Sequence, residues 1–314
     1  MTDHAKRICS LLPSATEIVC ALGLKDRLVG VTHECDYPLS VARLPRVTSS
    51  AIDSAHLTSR QIDDAVRESL EEQATIYHLD RDLLDSLAPD LILTQELCDV
   101  CAVGPAEVKS VVRSLSREPR VISLEPSNLD GVLESIGLVG RLAGVEDRAL
   151  HLVDELRRRL DAVRVAVAGR VARKVLSLEW LDPVFVGGHW VPEMIEIAGG
   201  KDCLGVAGQP SRQASWDEVA CMRPEIAVCM LCGFDLDRSL EEVCGTALPD
   251  AWHELPAIRS GNVYVTDGSA YFSRPGPRLI EGVEILASIL HPDVFDRTPA
   301  SSFARSEAPA VTPG

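Results

Sequence analysis

The sequence of 314 residues lacks long apolar runs and an excess of positive charge. No apolar run approaches the roughly 20 residues that a transmembrane helix needs, so we expect no membrane insertion. The formal net charge is −16. This charge argues against nucleic acid as a partner, because binding to phosphates requires concentrated Lys and Arg.

A signal-peptide pattern is also missing from the start of the sequence. After MTDHAKR the chain continues directly into residues 8–13, ICSLLP, which are too short for the apolar region of a signal peptide. We therefore expect a cytoplasmic protein, or a periplasmic one if the true start lies upstream. In that setting the ten cysteines predict reduced thiols, metal ligands or core residues and not a disulfide framework.

Short apolar runs alternate with segments of helical periodicity along the chain. The runs predict buried parallel strands at 8–11, 28–31, 91–93, 121–124, 175–178, 226–230 and 263–265. The periodic segments predict helices at 15–22, 106–115 and 276–290. This alternation predicts the α/β class.

One charged segment, 145–167, divides this pattern in two. It contains no Gly or Pro, and its apolar residues recur mostly at three- and four-residue steps, which predicts one long amphipathic helix. We expect an N-terminal α/β lobe at 1–144, a linking helix at 145–170 and a C-terminal α/β lobe at 171–295. The tail, 296–314, is rich in Pro, Ala and Ser, and we expect it to be disordered.

Two capping-box patterns predict where helices begin. Ser14 precedes Glu17, and Ser215 precedes Glu218, with the spacing at which the two side chains satisfy free backbone N–H groups. The first pattern predicts that a helix opens at Ser14. The second predicts a short helix that ends near Met222.

Aromatic residues are scarce, at 4% of the chain, but several follow predicted strands. These residues are Tyr37, Trp180, Trp190, Phe234, Tyr271 and Phe272. Ligands of open α/β sheets bind beyond the carboxyl ends of the strands, and aromatic rings suit a flat or bulky ligand. We therefore expect a ligand site there; the alternative is that these rings cap the two cores at the sheet edges.

Motifs spread over residues 7–292 resemble the vitamin-B12-binding and iron-siderophore-binding proteins of ABC importers. They are SLLPSATE at 10–17, Gly23, VGV at 29–31, DYP at 36–38, APDLI at 88–92, Gly187-Gly188, IAGG at 197–200, SWDEV at 215–219, RPEI at 223–226 and SRPGPR at 273–278. The resemblance implies two Rossmann-like lobes joined by one long helix, with a ligand cleft between the lobes.

The vitamin-B12 branch is the more similar one, which implies non-catalytic binding of cobalamin or a related corrinoid, with an iron chelate as the alternative. The expected ligand contacts, with Phe234 added from its strand-end position, are His33, Glu34, Cys35, Asp36, Tyr37, Gln95, Glu96, Cys98, Trp180, His189, Trp190, Phe234, Tyr271 and Phe272. We expect a monomer that acts as a carrier, store or sensor of a small-molecule ligand. An ABC permease is an expected partner if a leader precedes the sequence.

Three cysteines lie in two of the strand-end loops of the first lobe. Cys35, Cys98 and Cys101, with His33 beside them, offer a ligand set for zinc, another soft metal or the cobalt of a corrinoid. A redox role for Cys98 and Cys101 is a second interpretation, and inert cysteines are a third. By resemblance, these loops look like a cytosolic cobalamin-binding subgroup. A metal-site or thiol protein is therefore the competing function.

Overall fold

The computed structural model describes residues 4–54, 56–73, 76–95, 105–295 and 303–305. The chain forms two compact units. Unit 1 comprises Met1–Leu57, Gln61–Pro126 and Asp130–Glu155, and unit 2 comprises Thr58–Arg60, Ser127–Leu129 and Leu156–Gly314. Two short segments from the first half of the sequence thus belong to unit 2.

The elements of the first half alternate strand and helix. The strands are β1 Ile8–Ser10, β2 Leu28–Val31, β3 Thr48–Ser50, β4 Tyr77–Leu79, β5 Leu91–Thr94 and β6 Arg120–Ser123. The helices are α1 Pro13–Ala21, α2 Ser59–Gln73, α3 Arg81–Leu87, α4 Pro105–Arg113, α5 Leu129–Ala143 and α6 Glu146–Val167. The observed α6 confirms the prediction of one long helix at 145–167.

The main sheet in the described part of unit 1 is entirely parallel, in the order β2-β1-β5-β6. Cys9 lies opposite Gly30 in β2 and opposite Ile92 in β5. A parallel sheet is covered on both faces, which explains why its strands read as uninterrupted apolar runs. All four carboxyl ends lie at one edge of the sheet, and the loops that follow them carry the predicted ligand residues of unit 1.

The second half continues with strands and mostly shorter helices. The strands are β7 Arg173–Leu181, β8 Val184–Val186, β9 Gly200–Asp202, β10 Arg212–Gln213, β11 Ile226–Cys229, β12 Val263–Thr266 and β13 Phe303–Arg305. The helices are α7 Val191–Ile197, α8 Trp216–Met222, α9 Leu236–Gly245, α10 Asp250–His253, α11 Pro256–Arg259, α12 Gly268–Tyr271 and α13 Leu279–Leu290.

The sheet of unit 2 is mixed. Its order is β10-β8-β7-β11-β12-β13, and β9 also pairs with β7. The neighbours β7, β11 and β12 run parallel, as does β9, whereas β8, β10 and β13 are antiparallel to their neighbours. The predicted strands all fall on parallel strands of the two sheets, and the α/β class is confirmed.

One of the two helix-start predictions is wrong. Helix α1 begins at Pro13, with Leu12 at the N-cap, so Ser14 lies inside the helix and does not cap it. Proline fits the first helical position because its missing N–H would have no partner there and its φ is already helical. In contrast, the Ser215 hydroxyl accepts a bond from the Glu218 backbone nitrogen at 3.1 Å, which confirms the start of α8.

The prediction of a disordered tail is wrong for residues 303–305. This segment forms β13, which pairs antiparallel with β12, and Phe303 sets its ring edge-on to Tyr264 with centroids 5.9 Å apart. Arg305 also donates from Nε to the Gly261 carbonyl oxygen at 2.6 Å. No helix that the structure describes is both long and apolar enough to cross a membrane.

Candidate functional site

His33 is held firmly in the loop that follows β2. Its Nδ1 lies 2.7 Å from the Thr48 hydroxyl, and its backbone nitrogen donates to the same oxygen at 3.0 Å. The ring also lies 5.3 Å from that of Tyr77, and Nε2 is 3.2 Å from a Glu34 carboxylate oxygen. The imidazole is 24% exposed, so its position is fixed while one part of it reaches the surface.

The next residues of this loop alternate between core and surface. Cys35 is 2% exposed, and its sulfur lies 3.0 Å from the Thr16 hydroxyl in α1. Glu34, Asp36 and Tyr37 are exposed, Tyr37 by 47%. The loop therefore presents one ring and two carboxylates to solvent, whereas the Cys35 thiol points into the core of unit 1.

Of the three cysteines in the predicted cluster, only Cys35 lies among the described residues. Gln95 is buried at the end of β5, whereas Glu96, Cys98 and Cys101 lie outside the described residues. The described part of the chain holds no group of three or more His, Cys, Asp or Glu side chains that could bind a metal ion. Since Cys35 is buried against Thr16, the described residues do not support a zinc site.

Two core cysteines are chemically unreactive. Burial raises the pKa of the Cys9 thiol, with a smaller contribution from Cys35, and burial raises the pKa of Cys229 to about 12. Both side chains are fully buried in the sheets. Such thiols stay protonated and act as small apolar groups, as expected for cysteines within strands.

An aromatic pair lies at the carboxyl end of β7 and in the loop after β11 in unit 2. Trp180 is still part of β7, where it pairs with Phe185 of β8, so the prediction that it lies in a loop after the strand is wrong. The rings of Trp180 and Phe234 are 5.2 Å apart and tilted, and the Arg238 guanidinium lies 4.8 Å from the centre of the Phe234 ring. Phe234 is 8% exposed, whereas Trp180 is only partly buried. Trp180 is therefore the member of the pair that a ligand can contact over a larger area.

Trp190 and Phe272 match the alternative interpretation of the sequence, in which these aromatic rings cap the core and do not contact a ligand. They are 6% and 2% exposed, and the Trp190 indole nitrogen donates to the Phe272 carbonyl oxygen at 2.7 Å. Their rings fill the interior of unit 2, and we do not retain them as ligand contacts. Their neighbour Tyr271 is partly exposed, with the Arg278 guanidinium 5.9 Å from its ring.

His189 has a strained but well-anchored backbone. Its φ is +50°, which is uncommon for a residue other than glycine. Its nitrogen donates to the Gln209 carbonyl at 2.6 Å, and its own carbonyl accepts from Gly208 at 2.8 Å. Desolvation lowers the pKa of the His189 side chain, so the imidazole is neutral at neutral pH. Strain at a fixed surface residue is typical of ligand sites.

Glu179 is a site residue that the sequence prediction missed. One carboxylate oxygen accepts from the Gly188 nitrogen at 3.1 Å, and the other accepts from the Ser211 hydroxyl at 2.5 Å. Glu179 thereby joins the loop of His189 to the loop at 208–211. These loops pack so closely that a Cβ at Gly188 would collide with the Ser211 backbone nitrogen. The local sequence around Glu179 does not indicate these contacts, because their partners lie in other loops.

The sequence prediction also missed the segment Thr58–Arg60 of unit 2. Ser59 binds the Glu242 carboxylate through both its backbone nitrogen, at 2.9 Å, and its hydroxyl, at 2.5 Å. The Trp180 indole nitrogen donates to the Ser59 carbonyl at 3.2 Å. The Arg60 guanidinium forms a bidentate ion pair with the Asp182 carboxylate. The segment is thus bound to residues that surround the aromatic pair.

This arrangement, two α/β units with accessible rings and fixed polar groups at strand ends, defines a small-molecule-binding protein. The sequence profile of the periplasmic binding protein family matches residues 8–270. The chain belongs to this family, whose members are solute-binding proteins and not enzymes.

Individual relatives extend the comparison. An uncharacterized ABC transporter substrate-binding lipoprotein of Bacillus subtilis, YvrC, is 26% identical over 300 residues, 92% of this chain and 81% of the relative. A vitamin B12-binding protein of Vibrio cholerae is 24% identical over 289 residues, 91% and 89% of the two chains. A crystal structure of a periplasmic heme-binding protein from Pseudomonas aeruginosa matches with a TM-score of 0.70 at 20% identity, covering 92% of this chain and 94% of that one.

These findings support a substrate-binding protein of the kind that works with an ABC permease. They do not support the expected cytoplasmic location, because one relative is named as a lipoprotein and the family as periplasmic. The relatives' names differ in the ligand, vitamin B12 for one and heme for another.

Proposed function

We propose that the chain binds a corrinoid, such as cobalamin, through side chains at strand ends, and delivers it to an ABC permease. The observation that carries the proposal is the set of accessible rings, Tyr37 in unit 1 and Trp180 and Tyr271 in unit 2. A large macrocycle offers the flat apolar area that such rings bind. The similarity to a vitamin B12-binding protein over 91% of this chain supports the choice of ligand.

The polar neighbours of these rings suit the rim of a corrinoid. Amide side chains surround that macrocycle, and amides both donate and accept hydrogen bonds. Glu34 and Asp36 are exposed beside Tyr37 and supply acceptors. A macrocycle that carries carboxylates would instead meet like charge at these two residues, which favours the amide-bearing ligand.

A planar iron chelate is the second candidate ligand. The environment of His189 is the observation that favours it. Its imidazole is partly exposed, its backbone is fixed by two hydrogen bonds, and burial lowers its pKa. A neutral imidazole nitrogen is a good ligand for the metal of a bound chelate. We expect this residue to contact the ligand face in either case.

Equilibrium dialysis separates the two candidates. The purified chain is dialysed against cyanocobalamin, cobinamide, hemin and a ferric siderophore, each alone. We expect retention of cobalamin and cobinamide at one molecule per chain. Retention of hemin or the siderophore alone would establish the second candidate, and retention of none of the four would contradict ligand binding of this kind.

A further inference from the structure

Five residues of unit 2, among them the proposed ligand contact Trp180, form a closed ring of contacts. Trp180 contacts Phe234, whose ring lies under the Arg238 guanidinium. Arg238 lies 3.6 Å from a Glu242 oxygen, Glu242 accepts two hydrogen bonds from Ser59, and the Ser59 carbonyl accepts the Trp180 indole N–H. Each end of the aromatic pair is therefore connected to the same carboxylate.

Glu242 is the most constrained member of this ring. It is 4% exposed, and its Oε1 accepts from the Ser59 nitrogen, the Ser59 hydroxyl and the Thr246 hydroxyl, the last at 3.0 Å. A buried carboxylate is costly unless its oxygens are hydrogen-bonded, and these three donors satisfy Oε1. Its neighbour Glu241 also reaches Arg238 at 3.6 Å, but it is 72% exposed.

We propose that Glu242 is a positioning residue for the ligand, because it fixes the orientation of the Trp180–Phe234 pair through Ser59 on one side and Arg238 on the other. The inference rests on the proposed function, since it assigns the pair to the ligand surface. An indole whose N–H is anchored and which contacts a fixed, tilted ring keeps one rotamer, so the ligand meets a preorganised surface.

The test compares Glu242→Ala, Glu242→Gln and Ser59→Ala, with Glu241→Ala as the matched control. Glu242→Gln keeps an oxygen that can accept from Ser59 but loses the charge that faces Arg238, so its effect should be smaller than that of Glu242→Ala. Glu242→Ala removes the acceptor and the contact with Arg238. Ser59→Ala removes one of the two bonds and serves as the milder variant if Glu242→Ala does not fold.

The first measurement needs no ligand. The protein is labelled with 5-fluorotryptophan, and its four tryptophan signals are assigned in ¹⁹F spectra with single Trp→Phe variants. We expect the Trp180 signal to shift or broaden in Glu242→Ala and Ser59→Ala, to change less in Glu242→Gln, and to stay in place in Glu241→Ala. An unchanged Trp180 signal in folded Glu242→Ala overturns the proposal.

The second measurement is the affinity for cyanocobalamin, taken well below the melting temperature of each variant. Glu242→Ala should weaken binding by about fivefold, the scale of coupling between contacting residues, and should have no further effect in a Trp180→Ala background. An equal loss in both backgrounds overturns the proposal. If the wild type binds no corrinoid, the proposed function fails, and the ¹⁹F spectra still decide whether Glu242 orients Trp180.

Discussion

The indole nitrogen of Trp190 donates a 2.7 Å hydrogen bond to the carbonyl oxygen of Phe272, and both side chains are buried. Replacing Trp190 with Phe leaves that carbonyl without its partner and removes buried volume. We expect the free energy of unfolding to fall by about 1–3 kcal/mol. Urea unfolding measures the loss, and corrinoid affinity below the transition should stay unchanged.

Tyr37→Phe is the control for this prediction, because Tyr37 is 47% exposed and should change stability by no more than about 0.5 kcal/mol. If Trp190→Phe kept wild-type stability and lost affinity, Trp190 would contact the ligand and the assignment to the core would be wrong.

Ser215 and Ser14 give a matched pair for helix capping. Ser215→Ala removes the acceptor for the Glu218 nitrogen at the start of α8, so we expect a loss of about 1 kcal/mol. Ser14→Ala should cost less, because Ser14 lies inside α1 and alanine is the better helix former. Thermal unfolding of the two variants ranks the losses, and the reverse order would contradict this description of α1.

His189 should make stability depend on pH. Burial holds its pKa below the ordinary value of 6.5, so the unfolded chain binds a proton first as the pH falls. This contribution to stability is complete above the unfolded pKa and decreases below it. His189→Asn removes it while tolerating the positive φ, so the stability advantage of the wild type should be smaller at about pH 5 than at about pH 7.5.

Urea unfolding of the wild type and His189→Asn at both pH values measures this difference. Burial lowers the pKa of His291 as well, but that residue is present in both proteins and cancels from the comparison. An advantage that is the same at both pH values, or larger in acid, would contradict a lowered pKa at His189.

The strand β13 covers the edge of β12, and its removal should expose that edge. A chain that ends after residue 295 loses the pairing with β12 and the Arg305 contact, which should lower the free energy of unfolding by about 2 kcal/mol. An uncovered edge strand also favours self-association, which sedimentation velocity would detect. A chain that ends after residue 305 keeps β13 and is the control; equal behaviour of both truncated chains would show that β13 contributes little.

The sequence predicted the buried elements well, because burial leaves a local signal. Strand β2 was predicted to the residue, since a strand covered on both faces shows a continuous apolar run bounded by polar loop residues. Helix α6 was predicted within one residue from its apolar periodicity. Strand β13 was missed because its three residues are too few for a pattern, and only its partner β12 stabilises it.

The candidate site was harder to predict, because a strand-end position does not say which way a side chain points. Trp180 lies at the end of β7 and Trp190 follows β8, yet one is partly exposed and the other is buried against Phe272. Ser59 and Glu242 are 183 residues apart, so no spacing in the sequence links them. Contacts of that range depend on the packing of the whole unit.

If accessible rings at the strand ends bind a corrinoid, removing a ring must weaken that binding. Isothermal titration of cyanocobalamin into the wild type, Tyr37→Ala, Trp180→Ala and Val165→Ala tests it most directly, because Val165 is 76% exposed on α6 and far in sequence from the strand-end loops. We predict one cobalamin per wild-type chain, unchanged binding for Val165→Ala, and affinities about tenfold weaker, or about 1.4 kcal/mol, for each ring variant. Absence of binding in the wild type, or equal affinity in all four proteins, would contradict the account.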